Sequence, residues 1–178
     1  MHLRPSDARR VPWKNRRGFT DELALWPGGA GFEKGDFLWR ISKAAVEEAG
    51  PFSAFPGFER VLVVTAGAGL VLEHGASAPP ARLERLVPYR FSGDWPTRAA
   101  LIDGPVEDFN VLCRQGAARA EIEVWATQAQ RDVSAAHDEH VFVHDLGSGE
   151  SLWLPPESST SLRNSSDCLA VRILSAAR

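Results

Sequence analysis

The sequence is short of cysteine, of basic excess, of long apolar runs and of helical periodicity, and each shortage closes off a class of protein. Cysteine occurs only at Cys113 and Cys168. Two widely spaced thiols in apolar-alternating stretches read as buried core thiols, not as a disulfide framework. Lysine and arginine total 20 against 23 acids, for a net charge of -3. The basic stripe of a nucleic-acid binder is absent, so nucleic acid is set aside as a partner. The densest basic run is Arg9, Arg10, Lys14, Arg16 and Arg17; Asp21 and Glu22 follow it, and it reads as a solvated face. Residues 1–17 lack an apolar core, so no signal peptide is expected. No stretch nears the ~18 continuous apolar residues of a spanning helix, so no membrane partner is expected either. The expected compartment is the cytoplasm. No P-loop, nucleophile elbow or dinucleotide fingerprint occurs.

What is present is β pattern. The 178 residues are 44% hydrophobic and 24% charged, enough for one large domain or two small ones sharing a core. Alternating or continuous apolar runs predict strands at 19–26, 37–46, 58–65, 70–73, 82–87, 98–102, 109–114, 121–125, 140–144, 151–154 and 169–174. Turn signals separate them, among them Gly67-Ala68-Gly69, Pro79-Pro80, Asp103-Gly104-Pro105 and Pro155-Pro156. The strand at 58–65 is apolar on both faces and should be covered on both sides. Helix is expected only as short pieces at 5–10 and 127–137. Residues 44–49 have some helical propensity but continue a strand and end at Gly50-Pro51. About eleven short strands point to an all-β sandwich or barrel. The small, polar stretch 115–118 is the natural seam.

Three blocks carry a resemblance. The first runs from Pro12-Trp13-Lys14-Asn15 through Gly18-Phe19-Thr20-Asp21-Glu22. The second is Trp39-Arg40-Ile41-Ser42-Lys43-Ala44, continuing to Gly50-Pro51-Phe52-Ser53-Ala54-Phe55-Pro56-Gly57-Phe58-Glu59-Arg60. The third is Phe91-Ser92-Gly93-Asp94, continuing through Asp108-Phe109-Asn110-Val111. Over roughly 10 to 115 the chain resembles the HutD/Ves family. The resemblance implies a bicupin, two β-barrels or jelly rolls in one chain. Residues 1–115 would form the barrel bearing the motifs. Residues 116–178 would form a smaller cupin-like barrel, with exchange of strands between the two left open. It also implies a regulatory link to histidine utilisation, with N-formylglutamate or urocanate as candidate ligand. One departure stands out: Arg16 and Arg17 replace glycines that the family usually carries after Asn15, substituting charge and bulk for backbone freedom.

Metal-binding cupins present His-x-His and then a Glu four residues on. The matching register here is Ser53-Ala54-Phe55 and then Glu59. A hydroxyl and a phenyl ring cannot replace two imidazoles, so no metal and no cofactor are expected. His2 is terminal and His74 ends a hairpin strand. His140 and His144 on one strand face would lie about 13 Å apart, too far for one ion. With His137 they are expected to be exposed loop and edge-strand residues.

Arg60 is the first candidate for ligand binding. It shares parity with Leu62 and Val64 and so projects from an apolar face. A buried guanidinium needs a partner. That partner is either a ligand carboxylate, taken bidentately, or an internal acid such as Glu59, Glu22 or Asp108. Arg40 is a second candidate cation. Asn15, Thr20, Ser53 and Asn110 are candidate hydrogen-bonding groups, Glu59 is a candidate carboxylate, and Phe52, Phe55 and Phe58 are candidate walls. The sequence is read as a binding protein for a small anionic metabolite, with a homodimer as a possible assembly. The alternatives are a metal-free enzyme acting on a small acid, with Glu59 or Asp108 as its base, and a structural or protein-binding module of the Ves branch.

Overall fold

The computed structural model describes residues 1–13, 18–31 and 34–175. In chain order its strands are β1 (His2–Leu3), β2 (Arg9–Pro12), β3 (Phe19–Trp26), β4 (Trp39–Val46), β5 (Gly50–Pro51), β6 (Phe58–Ala66), β7 (Leu70–Glu73), β8 (Ala81–Leu83) and β9 (Tyr89–Ser92). They continue with β10 (Arg98–Leu101), β11 (Val106–Arg114), β12 (Ala118–Trp125), β13 (Gln128–Ser134), β14 (Glu139–Asp145), β15 (Ser151–Leu154), β16 (Ser159–Asn164) and β17 (Cys168–Ser175). The fold is all-β, as the period-2 pattern requires. No helix among the described residues is long and apolar enough to cross a membrane.

The expected helices at 5–10 and 127–137 are corrected. Pro5–Asp7 is one 3-10 turn that leads into β2, and most of the second stretch is β13, paired antiparallel with β16. Helix preferences differ by less than ~0.7 kcal/mol per ordinary residue, so a partner strand overrides them. At 44–49 the strand continues to Val46, as its pattern indicates.

The chain divides into two compact units, Arg9–Gln115 and Met1–Ala8 with Gly116–Arg178. The first eight residues therefore do not join the unit that follows them in sequence. His2 and Leu3 pair with Leu152 and Ser151 of β15.

The Arg9–Gln115 unit holds two open antiparallel sheets, ordered β2-β3-β4-β11-β6-β9 and β5-β10-β7-β8. Leu62, Val64, Phe91 and Val106 of the first meet Leu70, Leu72, Leu83 and Ala99 of the second in one buried cluster. Full burial of such side chains stabilises by about 1.5–3 kcal/mol each, so this cluster holds the two sheets together. The opposite face of β6 is also covered, with Val61 and Val63 buried. In the other unit a five-stranded sheet, β1-β15-β14-β17-β12, and the β13-β16 ladder enclose Trp125, Val133, Val141, Val143, Leu154, Cys168 and Ala170. Cys113 and Cys168 are buried free thiols, both pushed up to about 12 chiefly by burial.

Candidate functional site

Strand register assembles a polar stripe on the inner face of the six-stranded sheet. Leu112, Asn110 and Asp108 of β11 lie opposite Arg60, Leu62 and Val64 of β6. On the other flank the same three residues meet Arg40, Ser42 and Ala44 of β4. Glu22 and Thr20 of β3 lie opposite Ser42 and Ala44. Alternation therefore turns Thr20, Glu22, Arg40, Ser42, Arg60, Asp108 and Asn110 to one side. That side also carries Leu62 and Val64 of the core.

Arg60 is 6% exposed. Its Nη2 donates to Asn110 Oδ1 at 2.7 Å and its Nη1 to the Ser53 carbonyl at 3.4 Å. Its Nε is buried with no hydrogen-bond partner among the described residues. Cζ lies over the rings of Phe52, Phe55 and Phe91 at 5.3, 5.3 and 5.0 Å, a favourable setting for a cation. Burial lowers this guanidinium to about 10, against the opposing pull of Asp108, so it stays charged at neutral pH.

Asn110 continues the chain, its Nδ2 donating to Asp108 Oδ1 at 2.5 Å. Asp108 is 2% exposed. Burial raises its carboxyl to about 7, Arg60 pulls it down, and neighbouring Glu107 pushes it up. Arg60, Asn110 and Asp108 thus form one buried relay in which the amide couples cation to acid.

The aromatic walls are fixed by a clasp. Phe52 N donates to Thr97 O at 2.9 Å, Phe55 N to Gly93 O at 2.9 Å, and Gly93 N to Phe58 O at 2.8 Å. A Cβ at Gly93 would lie 2.4 Å from the Phe55 carbonyl oxygen and 2.8 Å from that of Phe58. Only glycine admits this approach. Asp94 Oδ1 caps Gly57 N at 3.0 Å.

The sequence-level candidates divide accordingly. Arg60, Asn110 and Phe55 come together. Ser53 joins through its carbonyl, while its side chain is exposed. Arg40 sits on the same face but is held by Glu22, Nε to Oε2 at 2.8 Å, and Glu22 also takes Arg9 at 2.9 Å. Thr20 accepts from Trp13 Nε1 at 2.9 Å. Glu59 is separated from the site. It lies opposite Cys113, on the other face of β6, and pairs with Arg90. Phe58 is not a wall of Arg60; it stacks on Phe37 at 4.6 Å, and Phe91 takes the place expected for it. Asn15, with Arg16 and Arg17, lies outside the described residues. Within the basic run, Arg9 and Arg10 are paired with Glu22 and Asp21.

The histidine expectation holds for His137, which is exposed, and is corrected for three others. His74, His140 and His144 are 1%, 2% and 3% exposed. β14 is an interior strand of its sheet, not an edge. His144 Nδ1 bonds Ser151 Oγ at 2.8 Å, and Trp153 Nε1 donates to His140 Nδ1 at 3.3 Å. His74 flanks Phe91 at 5.1 Å between ring centroids. Its Nδ1 meets Thr97 Oγ1 at 3.0 Å and its Nε2 meets Tyr89 Oη at 3.1 Å. Thr97 Oγ1 already donates to the Trp95 carbonyl, so Nδ1 carries the proton and Nε2 accepts from Tyr89. Burial first, and then Arg60, lowers the His74 pKa. Among the described residues no group of three or more His, Cys, Asp or Glu is placed to hold a metal ion.

Phe91, His74 and Thr97 were not singled out from the sequence. Phe91 opens the third block of the resemblance, which was the available signal. For His74 and Thr97, whose partners are 15 to 23 residues away, there was none.

Fold and site together define an all-β protein with a buried guanidinium, amide and carboxyl relay behind an aromatic clasp. The HutD family model matches residues 5–173, and the chain belongs to that family. It is 36% identical over 138 residues to a 21.2 kDa protein in the hutC 3' region of Pseudomonas putida, covering 75% of this chain and 68% of that one. It is 35% identical over 122 residues to Protein Ves of Citrobacter koseri, covering 66% of this chain and 61% of the relative. The chain therefore spans under two thirds of the length of Ves. The structure of HutD from Pseudomonas fluorescens SBW25 in a formate condition superposes with a TM-score of 0.80 at 28% identity, covering 99% of both chains.

Proposed function

We propose that this chain is a metal-free bicupin that binds a small carboxylate metabolite at Arg60 and serves a regulatory role in histidine utilisation. The observation that carries the reading is the Arg60 guanidinium, buried, with Nε unpartnered among the described residues and with three aromatic rings around it. Such a fork accepts a carboxylate through two parallel N–H bonds. Ligand sites commonly combine apolar walls with a few fixed polar groups. The bicupin description takes the two sheets of each unit as the two sides of a barrel. The hutC-region relative supports the histidine-utilisation setting, and the formate condition of the HutD structure makes formate the simplest probe. The expected setting is cytoplasmic, without nucleic acid or membrane.

A thermal-shift screen against N-formylglutamate, urocanate, formate and glutamate tests this, run beside Arg60→Ala. A ligand at about 100 times its Kd adds roughly 2.7 kcal/mol, a rise of about 5–10 °C at this size. A shift with one acid, lost in the variant, supports the site. A folded protein that responds to none of the four rejects the histidine-pathway ligands.

A second reading has its own observation. Asp108, raised to about 7 beside a guanidinium, is suited to proton transfer near neutral pH. Turnover of one of these acids, abolished in Asp108→Asn, would favour an enzyme.

A further inference from the structure

We propose that a carboxylate arriving at Arg60 displaces Asp108 from its share of that guanidinium, so that binding takes up one proton at Asp108. The inference rests on the carboxylate reading of Arg60 and gives that site a built-in preference for acid.

The charges on one sheet face decide this. Asp108 is linked to Arg60 through Asn110. The neighbouring cation on that face, Arg40 of β4, is engaged by Glu22 of β3, which also holds Arg9 of β2. On the opposite face Lys43 of β4 pairs with Glu107 of β11 at 3.7 Å. From β9 comes the Tyr89 hydroxyl, and from the end of β7 comes His74, whose two ring nitrogens are occupied. Arg85 is turned to the Thr65 carbonyl at 2.9 Å. A ligand anion would therefore be the second carboxylate on one buried guanidinium.

Two carboxylates around one cation leave an uncompensated negative charge out of water, and interiors relieve that by protonation. The proton comes from solvent and adds to a carboxylate oxygen of Asp108; no bond of the ligand changes. Protonated Asp108 still accepts from Asn110 Nδ2 on its other oxygen. Asn110 keeps its orientation and its own acceptor stays on Arg60. Asp108 already lies close to neutrality, because burial raises its carboxyl to about 7.

The test is calorimetric titration of the full chain with sodium formate from about pH 5.5 to about pH 8.5, where formate stays ionised, each point in two buffers of different ionisation enthalpy. The expected result is uptake of about one proton per formate at about pH 8 and almost none at about pH 5.5. Affinity should fall by up to tenfold per unit above about pH 7. Asp108→Asn should bind formate with no pH trend and no uptake. If that variant does not fold, the wild-type buffer dependence decides alone. Formate bound with constant affinity and no uptake overturns the proton coupling and leaves the carboxylate site standing. Uptake that persists in Asp108→Asn overturns it too. No formate heat at any pH rejects both.

Discussion

Arg60 and Asn110 meet across adjacent strands, Nη2 to Oδ1 at 2.7 Å, and the amide of Asn110 turns its other end to Asp108. Fifty residues separate the two in sequence, and the β6–β11 register alone brings them into line. The amide orientation is set by its partners, because only the oxygen can face a guanidinium.

Asn110→Leu keeps the volume and removes both hydrogen-bonding functions. It leaves a buried cation and a buried acid without their intermediary. The expected loss is about 3 kcal/mol in urea unfolding at pH 7. A loss under about 0.5 kcal/mol, the range of neutral surface changes, would mean the relay does not bear on stability.

Asp108 sets a sign for the pH dependence of stability. Its carboxyl is raised from 3.8 to about 7. Between those values the folded chain holds a proton that the unfolded chain has released. Stability therefore falls as pH rises through that window and levels off above it. Urea unfolding at pH 5 and pH 8 should show a larger decline for the wild type than for Asp108→Asn. Equal declines would mean that Asp108 ionises normally in the fold.

Glu22 and Glu59 should respond unequally to the same change. Glu22→Gln strips the countercharge from Arg40, which is 4% exposed, and should lose about 3 kcal/mol. Glu59→Gln breaks a pair whose side chains are 32% and 30% exposed, and should lose under about 1 kcal/mol. Glu59→Gln should also leave formate binding unaltered, since its side chain lies on the far face of β6. Thermal melts and formate titrations of both variants check this.

Gly93→Ala puts a methyl where the Phe55 and Phe58 carbonyls already are. The loop must lift or the strand must shift. The expected loss is about 2 kcal/mol in thermal unfolding, with weakened formate binding because Phe55 leaves Arg60.

The inward turn of Arg60 was legible from parity with Leu62 and Val64, because strand alternation is rigid and its neighbours are plainly apolar. The same reasoning gave no access to Asn110 as mediator. Two residues far apart in sequence become partners only through strand order and register, which local pattern does not encode. His140 and His144 failed for a related reason. Their strand lies between β15 and β17, and nothing within 139–145 distinguishes an interior strand from an edge. Glu59 was drawn toward the site by a motif register, although its odd parity relative to Arg60 already put it on the other face. Phe58 has the parity of Arg60 yet packs on Phe37 and Leu112 beyond the reach of the guanidinium, which alternation alone cannot foresee. Strand 128–134 was missed because its letters favour helix and only its partner makes it extended.

The clasp over Arg60 consists of backbone amides, and this gives it a clock. Phe52, Phe55 and Gly93 each spend their N–H on a carbonyl across the clasp. Lifting the loop far enough to admit a solute frees these protons together. Once each amide's intrinsic exchange rate is divided out, the three should therefore show one shared protection factor, and that factor gives the fraction of time the guanidinium lies open to the outside world.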